Sequence, residues 1–164
     1  MARAFGRPGH ASGTYPERGN GGFQSPFGRV SLSAPAPFSD GVPGQVPFDV
    51  IDLTSANFGD LIVGGVLSQA GAYQMLNPGL YLVTVTVALD VAATDWSLDL
   101  TNGDGSELIA FETFANVATG NATGNFLLLV APSAQDAISC ILSVAGSSGN
   151  IVTATMLVTQ ISSI

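Results

Sequence analysis

From residue 80 to residue 89 the chain reads LYLVTVTVAL, and the alternation decides the element. Tyr81, Val83, Val85, Val87 and Leu89 fall on one face of an extended strand, with Thr84 and Thr86 on the other. The same two-residue period runs through 95–101. There Trp96, Leu98 and Leu100 face one way, and Asp95, Ser97, Asp99 and Thr101 the other. Further strands are predicted at 46–51, 72–76, 107–117, 123–131, 136–144 and 151–161, with residues 53–65 as a loop of some apolar content. The breaks carry turn chemistry: Asn77-Pro78-Gly79, Asn102-Gly103-Asp104-Gly105, Gly120-Asn121, Pro132-Ser133 and Gly146-Ser147-Ser148-Gly149. No window sustains a helical period, and the abundance of Val, Ile and Thr suits strands. About eight short strands at this spacing predict an all-β antiparallel sandwich or jelly roll.

The last strand departs from clean alternation. Ile151, Thr153, Thr155, Leu157 and Ile161 fall on one side, and Val152, Ala154, Met156 and Val158 on the other. A strand with one wet face would alternate polar with apolar. This one reads as covered on both sides, by the core and by a neighbouring subunit, so Val152, Ala154, Met156 and Val158 are expected at a subunit interface.

Residues 1–45 have a different texture. Arg7-Pro8-Gly9, Gly19-Asn20-Gly21-Gly22 and Pro35-Ala36-Pro37 remove donors and add backbone freedom, which opposes regular structure. Yet aromatic residues recur there: Phe5, Tyr15, Phe23, Phe27 and Phe38. Linkers are poor in aromatics. The segment therefore reads as an extended basic arm with anchors for successive pockets on another surface, preceding a folded domain at 46–164.

Charge sharpens this division. All four basic residues, Arg3, Arg7, Arg18 and Arg29, lie in the first 29 positions with one acid, Glu17, for +3. The rest holds eleven acids and no base, which completes the net −8. Beyond the arm, no cation is available for internal salt bridges. Only 10% of residues are charged while 46% are hydrophobic, against about 25% charged in an average soluble domain. A surface buried against partners accounts for that balance. No stretch approaches the roughly 20 apolar residues of a spanning helix. Arg3 and Arg7 are followed by no apolar h-region, which reads against a signal peptide and for assembly in a cytoplasm.

The strand body resembles the jelly rolls of the C1q/tumour-necrosis-factor type, and within them the bacterial and phage branch exemplified by the C-terminal domain of spore-surface glycoproteins. Three stretches carry the resemblance: Val46-Pro47-Phe48-Asp49, the Gly-x-Tyr strand Asn77-Pro78-Gly79-Leu80-Tyr81-Leu82-Val83-Thr84-Val85, and the closing strand. The resemblance implies a homotrimer around a threefold axis, with Tyr81 near the subunit contact. Residues 1–45 contain no collagen-like Gly-X-Y repeat, so the stalk found in some members is not expected, and the arm needs another role.

Chemistry is sparse. A nucleophilic triad needs a base, but there is no lysine, and the single histidine, His10, lies in the arm. Cys140, the single cysteine, sits in the apolar run 137–144 and reads as a core residue. Asp95 with Asp99, and Asp104 with Glu107, read as a solvated strand face and turn residues rather than acid–base pairs. Asp99, Asp104 and Glu107 do not match a calcium-loop spacing. Asn121-Ala122-Thr123 is a glycosylation sequon without a secretory context. No catalytic residue, metal or cofactor is expected. Four arginines diluted by glycine and proline make a weak footprint for nucleic acid, and no membrane partner is expected.

These features point to a structural virion protein. The expected protein is a homotrimer decorating the outer capsid surface of a tailed bacteriophage. Arg3, Phe5, Arg7, Tyr15, Arg18, Phe23, Phe27, Arg29 and Phe38 would anchor it to the major capsid protein. The alternative is a receptor- or glycan-binding trimer of a fibre or spore coat, with ligand contacts in the loops 54–65, 118–124 or 146–150. A third reading, a coat protein whose arm faces the genome, is opposed by the arm's small charge.

Overall fold

The computed structural model describes residues 27–54, 59–62, 71–102, 107–117, 120–130 and 137–163. Within them lie twelve strands and no helix: β1 (Phe27–Ser31), β2 (Ala36–Phe38), β3 (Gly44–Gln45), β4 (Val50–Thr54), β5 (Gly59–Ile62), β6 (Ala72–Met75), β7 (Gly79–Leu89), β8 (Ala93–Asn102), β9 (Leu108–Val117), β10 (Gly120–Val130), β11 (Ala137–Ala145) and β12 (Gly149–Ser163). They form two six-stranded sheets. The front sheet runs β10-β7-β12-β1-β4 with β2 beside β12. The back sheet runs β5-β6-β11-β8-β9 with β3 beside β11. Every pairing is antiparallel, and the chain crosses repeatedly between sheets. This is a jelly roll.

Alternation accounts for the core. Tyr81, Val83, Val85, Val87 and Leu89 of β7 point inward, opposite Trp96, Leu98 and Leu100 of β8 on the facing sheet. Phe126 and Leu128 of β10 and Ile138, Cys140, Leu142 and Val144 of β11 complete the two inner faces. Removing this much apolar surface from water is the main stabilising contribution. Burial, and then the negative charge of Asp99, push the Cys140 thiol far above its usual range, so it stays neutral and inert.

Two sequence expectations change here. The folded body does not begin at residue 46. β1, β2 and β3 belong to the sheets, with β1 inserted between β12 and β4 and β3 paired to β11. Residues 46–49 are an irregular link, although Val46 and Phe48 are deeply buried. Second, the loop expected at 53–65 contains β5, paired with β6.

The Gly-x-Tyr motif has a local explanation. The Tyr81 hydroxyl donates to the Asn77 carbonyl, and Gln160 Nε2 donates to the Pro78 carbonyl at 3.0 Å. Burial raises the Tyr81 phenol above its ordinary value, so it remains a donor. A β-carbon on Gly79 would lie 2.5 Å from both Gln160 Nε2 and the Ser162 carbonyl, so only glycine fits. The motif thus clamps the turn between β6 and β7 against β12.

The other end of the sandwich is clamped by carboxylates. Asp90 Oδ1 accepts from the Asn150 amide at 2.7 Å, and its Oδ2 from Asn150 Nδ2 at 2.8 Å. These bonds hold the Asp90 carboxyl below its ordinary value. Asp40 Oδ1 accepts from the Gly146 amide at 2.8 Å, and the Asp40 amide donates to Ser148 Oγ at 2.9 Å.

Candidate interaction surfaces

The residues expected at a subunit interface divide sharply. Tyr81, Ala154, Met156 and Val158 are interior residues of one chain, exposed by 2% or less. They fill the space between the sheets and have no surface to offer a partner, so their assignment to the interface is corrected. Val152 alone of that group is exposed, at 42%. The reason is a bulge between Ile151 and Thr153 in the ladder with β7. An extra residue shifts the side-chain parity, placing Ile151 inside before it and Ala154, Met156 and Val158 inside after it.

The expected arm residues also divide. Arg3, Phe5, Arg7, Tyr15, Arg18 and Phe23 lie outside the described residues. Phe27 and Arg29 are in β1, and Phe38 in β2 packs against the core. Arg29 Nε lies 3.2 Å from Asp52 Oδ2, and Asp52 Oδ1 accepts from Ser31 Oγ at 2.9 Å. Phe27, Arg29 and Phe38 are therefore structural parts of the body rather than free anchors. The expectation that the domain makes no internal salt bridge is also corrected, because β1 brings its own cation.

The outer face of the front sheet is built in rows. Leu127, Leu82, Thr159 and Phe27 lie opposite one another across β10, β7, β12 and β1. The next row is Asn125, Thr84, Leu157 and Arg29, and the next Thr123, Thr86, Thr155 and Ser31. On β7 and β10 the polar members of these rows pair: Thr84 Oγ1 donates to Asn125 Oδ1 at 2.9 Å, and the Thr86 and Thr123 hydroxyls are 3.1 Å apart. Among the described residues the apolar members have no such cover. Leu127 and Leu129 are 64% and 68% exposed, and Leu82, Leu157 and Ile161 stand near them. On the adjoining edge of the back sheet, Leu108 and Phe111 of β9 are also exposed. Glu112 of β9 reaches across to β10, its Oε1 accepting from the Asn125 amide at 2.9 Å. The sequence concealed these leucines, because three consecutive ones, at 127–129, do not reveal which point outward.

Other candidate positions carry less. Asp95 and Glu107 are exposed and Asp99 is half-buried on the back sheet; Asp104 lies outside the described residues. Among the described residues no cluster of three or more His, Cys, Asp or Glu forms a metal site. The loop 146–150 spends its polar groups internally, on Asp40, Asp90 and, through Ser147 Oγ, the Ala92 carbonyl. Within the loops 54–65 and 118–124, residues 55–58, 63–65 and 118–119 lie outside the described residues.

No protein-family model matches this chain, and no curated protein matches it. Solved structures do. The PRD1 vertex protein P5 aligns with a TM-score of 0.64 at 15% identity, covering 84% of this chain and 98% of its own. Murine APRIL aligns at 0.60 and 10% identity, covering 83% and 99%. The globular domain of zebrafish complement 1qA aligns at 0.56 and 12% identity, covering 85% and 99%. At such identities the likeness is one of fold: the chain is a jelly roll of the C1q/tumour-necrosis-factor kind.

Proposed function

We propose that this chain is a non-catalytic structural protein of a virion: a homotrimer that decorates the capsid of a tailed bacteriophage, held by its N-terminal segment. The observation that carries the reading is the exposed apolar surface that the described residues form on the outer face of the front sheet and the β9–β10 edge. Face and edge are different surfaces, so a contact between them is heterologous, and heterologous contacts that close make rings. A threefold ring fits the resemblance noted from the Gly-x-Tyr strand. A fold shared with a vertex protein supports a place on a particle.

Attachment is assigned to residues 1–26, because Phe27 onward belongs to the body. Those residues contain Arg3, Arg7 and Arg18 against Glu17, for +2, with Phe5, Tyr15 and Phe23 between them. The remainder carries Arg29 and eleven acids, for −10. Three such segments on one trimer would add weak contacts with the major capsid protein through effective concentration.

The experiment is density-gradient sedimentation of native source lysate, followed by the same measurement on protein lacking residues 1–26. The full chain should travel with large particles. The truncated chain should stay light, with a scattering mass three times that of its monomer. A full chain that never leaves the light fractions overturns the particle reading. A truncated chain that still coats particles overturns the attachment by residues 1–26.

A further inference from the structure

The outer face of the back sheet holds a groove of about 420 Å³ over β11, β8 and β9. That lies within the size range of sites for small ligands, roughly 300–1,000 Å³. Its polar groups form a row fixed by strand register. Ser143 pairs with Ser97 across β11 and β8, and Ser97 with Thr113 across β8 and β9. Beside that row, Asp95 pairs with Ala145. Between these side chains the floor is the backbone at Trp96 and Val144, whose side chains point into the core.

One wall is held rigidly. Gly41 lines the groove in a left-handed conformation (φ 66°), and its amide donates to the Val144 carbonyl at 2.8 Å. Its neighbour Asp40 is tied to Gly146 and Ser148. The groove is therefore pre-shaped by β11 and the turns at its end, which lowers the ordering cost of binding.

The polar groups of this groove contrast with those of the front sheet. There, Thr84, Thr86, Thr123 and Asn125 bond to one another. Here, the side chains of Asp95, Ser97, Thr113 and Ser143 make no hydrogen bond to another described residue. They stand about 4.8 Å apart from strand to strand, a spacing comparable to the width of a pyranose ring. Three hydroxyls that both donate and accept, together with one carboxylate that accepts, complement a ligand rich in hydroxyl groups. Among the described residues no lysine or arginine lines the groove, so an anionic ligand would meet Asp95 without compensation from them.

We infer that this groove binds a neutral carbohydrate, with Asp95 accepting from sugar hydroxyls and Ser97, Ser143 and Thr113 exchanging hydrogen bonds with them. Ala145 and the Thr113 methyl group would meet the carbon face of the ring. Asp95, Ser97 and Ser143 lie on β8 and β11, away from the β9–β10 edge of the proposed subunit contact, and Thr113 lies on β9 beside it.

The test is saturation-transfer NMR and titration calorimetry on the full chain. The probes are maltotriose, cellotriose and N,N′-diacetylchitobiose as neutral saccharides, 3′-sialyllactose as an anion and putrescine as a cation. At least one neutral saccharide should saturate the protein with a Kd of about 1 mM or tighter. Ala145→Trp, which fills the groove from an exposed position, and Asp95→Asn, which removes the charged acceptor, should each weaken it by about tenfold or more. Circular dichroism would establish that both variants fold. Three outcomes each overturn the assignment: no saturable binding by any neutral saccharide, binding that survives Ala145→Trp, or binding of putrescine or 3′-sialyllactose alone. The free protein is used throughout, so failure here leaves attachment to particles untouched.

Discussion

The two outer faces of this sandwich share a scaffold and differ in how their polar groups are used. On the front sheet, threonines and Asn125 pair in plane across β7 and β10, and Leu127 and Leu129 stand out as strongly exposed. On the back sheet, serines, a threonine and an aspartate stand idle around a groove. A surface that has satisfied its own polar groups is easily desolvated, which suits contact with another protein. A surface with free hydroxyls on a rigid base retains hydration that a polar ligand can replace. The comparison teaches that exposure alone does not distinguish the two faces; the partners of the polar residues do.

The largest effect should come from charging the front face. Leu127→Asp with Leu129→Asp places carboxylates where apolar contact is proposed, and burying them uncompensated is costly. Association should weaken by at least about a hundredfold, measured as a shift from trimer to monomer in sedimentation velocity. Ser143→Asp on β11 of the back face should leave the mass unchanged. If the two variants behave alike, the distinction between the faces fails.

A second measurement separates inside from outside on one strand. Met156→Ala removes a fully buried side chain and should cost about 2–5 kcal/mol in chemical denaturation. Val152→Ala, four residues away on the solvent side of the bulge, should stay within about 0.5 kcal/mol in isolated subunits. Comparable losses at the two positions would mean that the parity of β12 is not as described.

How far the sequence revealed these faces depends on the element. β7 was legible because its eleven residues alternate without interruption, and β8 because 95–100 do. β12 was legible as a strand but not in parity, because nothing in the residues 151–153 announces a bulge. β1 was missed for a different reason. A β-carbon on Gly28 would lie 1.9 Å from the Tyr73 hydroxyl, so the packing demands a glycine in a strand of only five residues. A glycine required by a distant tyrosine looks, in sequence, like loop composition. The groove was invisible because Ser97, Thr113 and Ser143 are far apart along the chain and meet only through register. Asp95 was noticed as one of a pair of acids on a strand face, which is where it sits, but its neighbours across the sheet gave no signal.

The smallest effect concerns the tie between the end of β7 and the start of β12 within the front sheet. Hydrogen bonds from Asn150 depress the Asp90 carboxyl, so its stabilising contribution is present above the unfolded carboxyl value, about 3.9. The contribution is lost as pH falls through the lower folded value. Asp90→Asn should therefore lower Tm slightly at pH 7, and the gap should shrink as the pH is taken below the unfolded carboxyl value. A gap independent of pH would assign the effect to shape rather than charge.

The bond from the Asn125 amide to Glu112 has a consequence for behaviour at high concentration. β10 is the outermost strand of its sheet, and an outermost strand with idle amides recruits further strands, from its own kind above all. Here a carboxylate from the opposite sheet already occupies one of those amides. A strand arriving at this edge would have to displace a charged acceptor, and then settle beside it. Growth by strand addition is thereby discouraged where the exposed leucines would otherwise invite it. The edge remains open to side-chain contacts, which can close a ring, and guarded against backbone pairing, which can lengthen into a fibre.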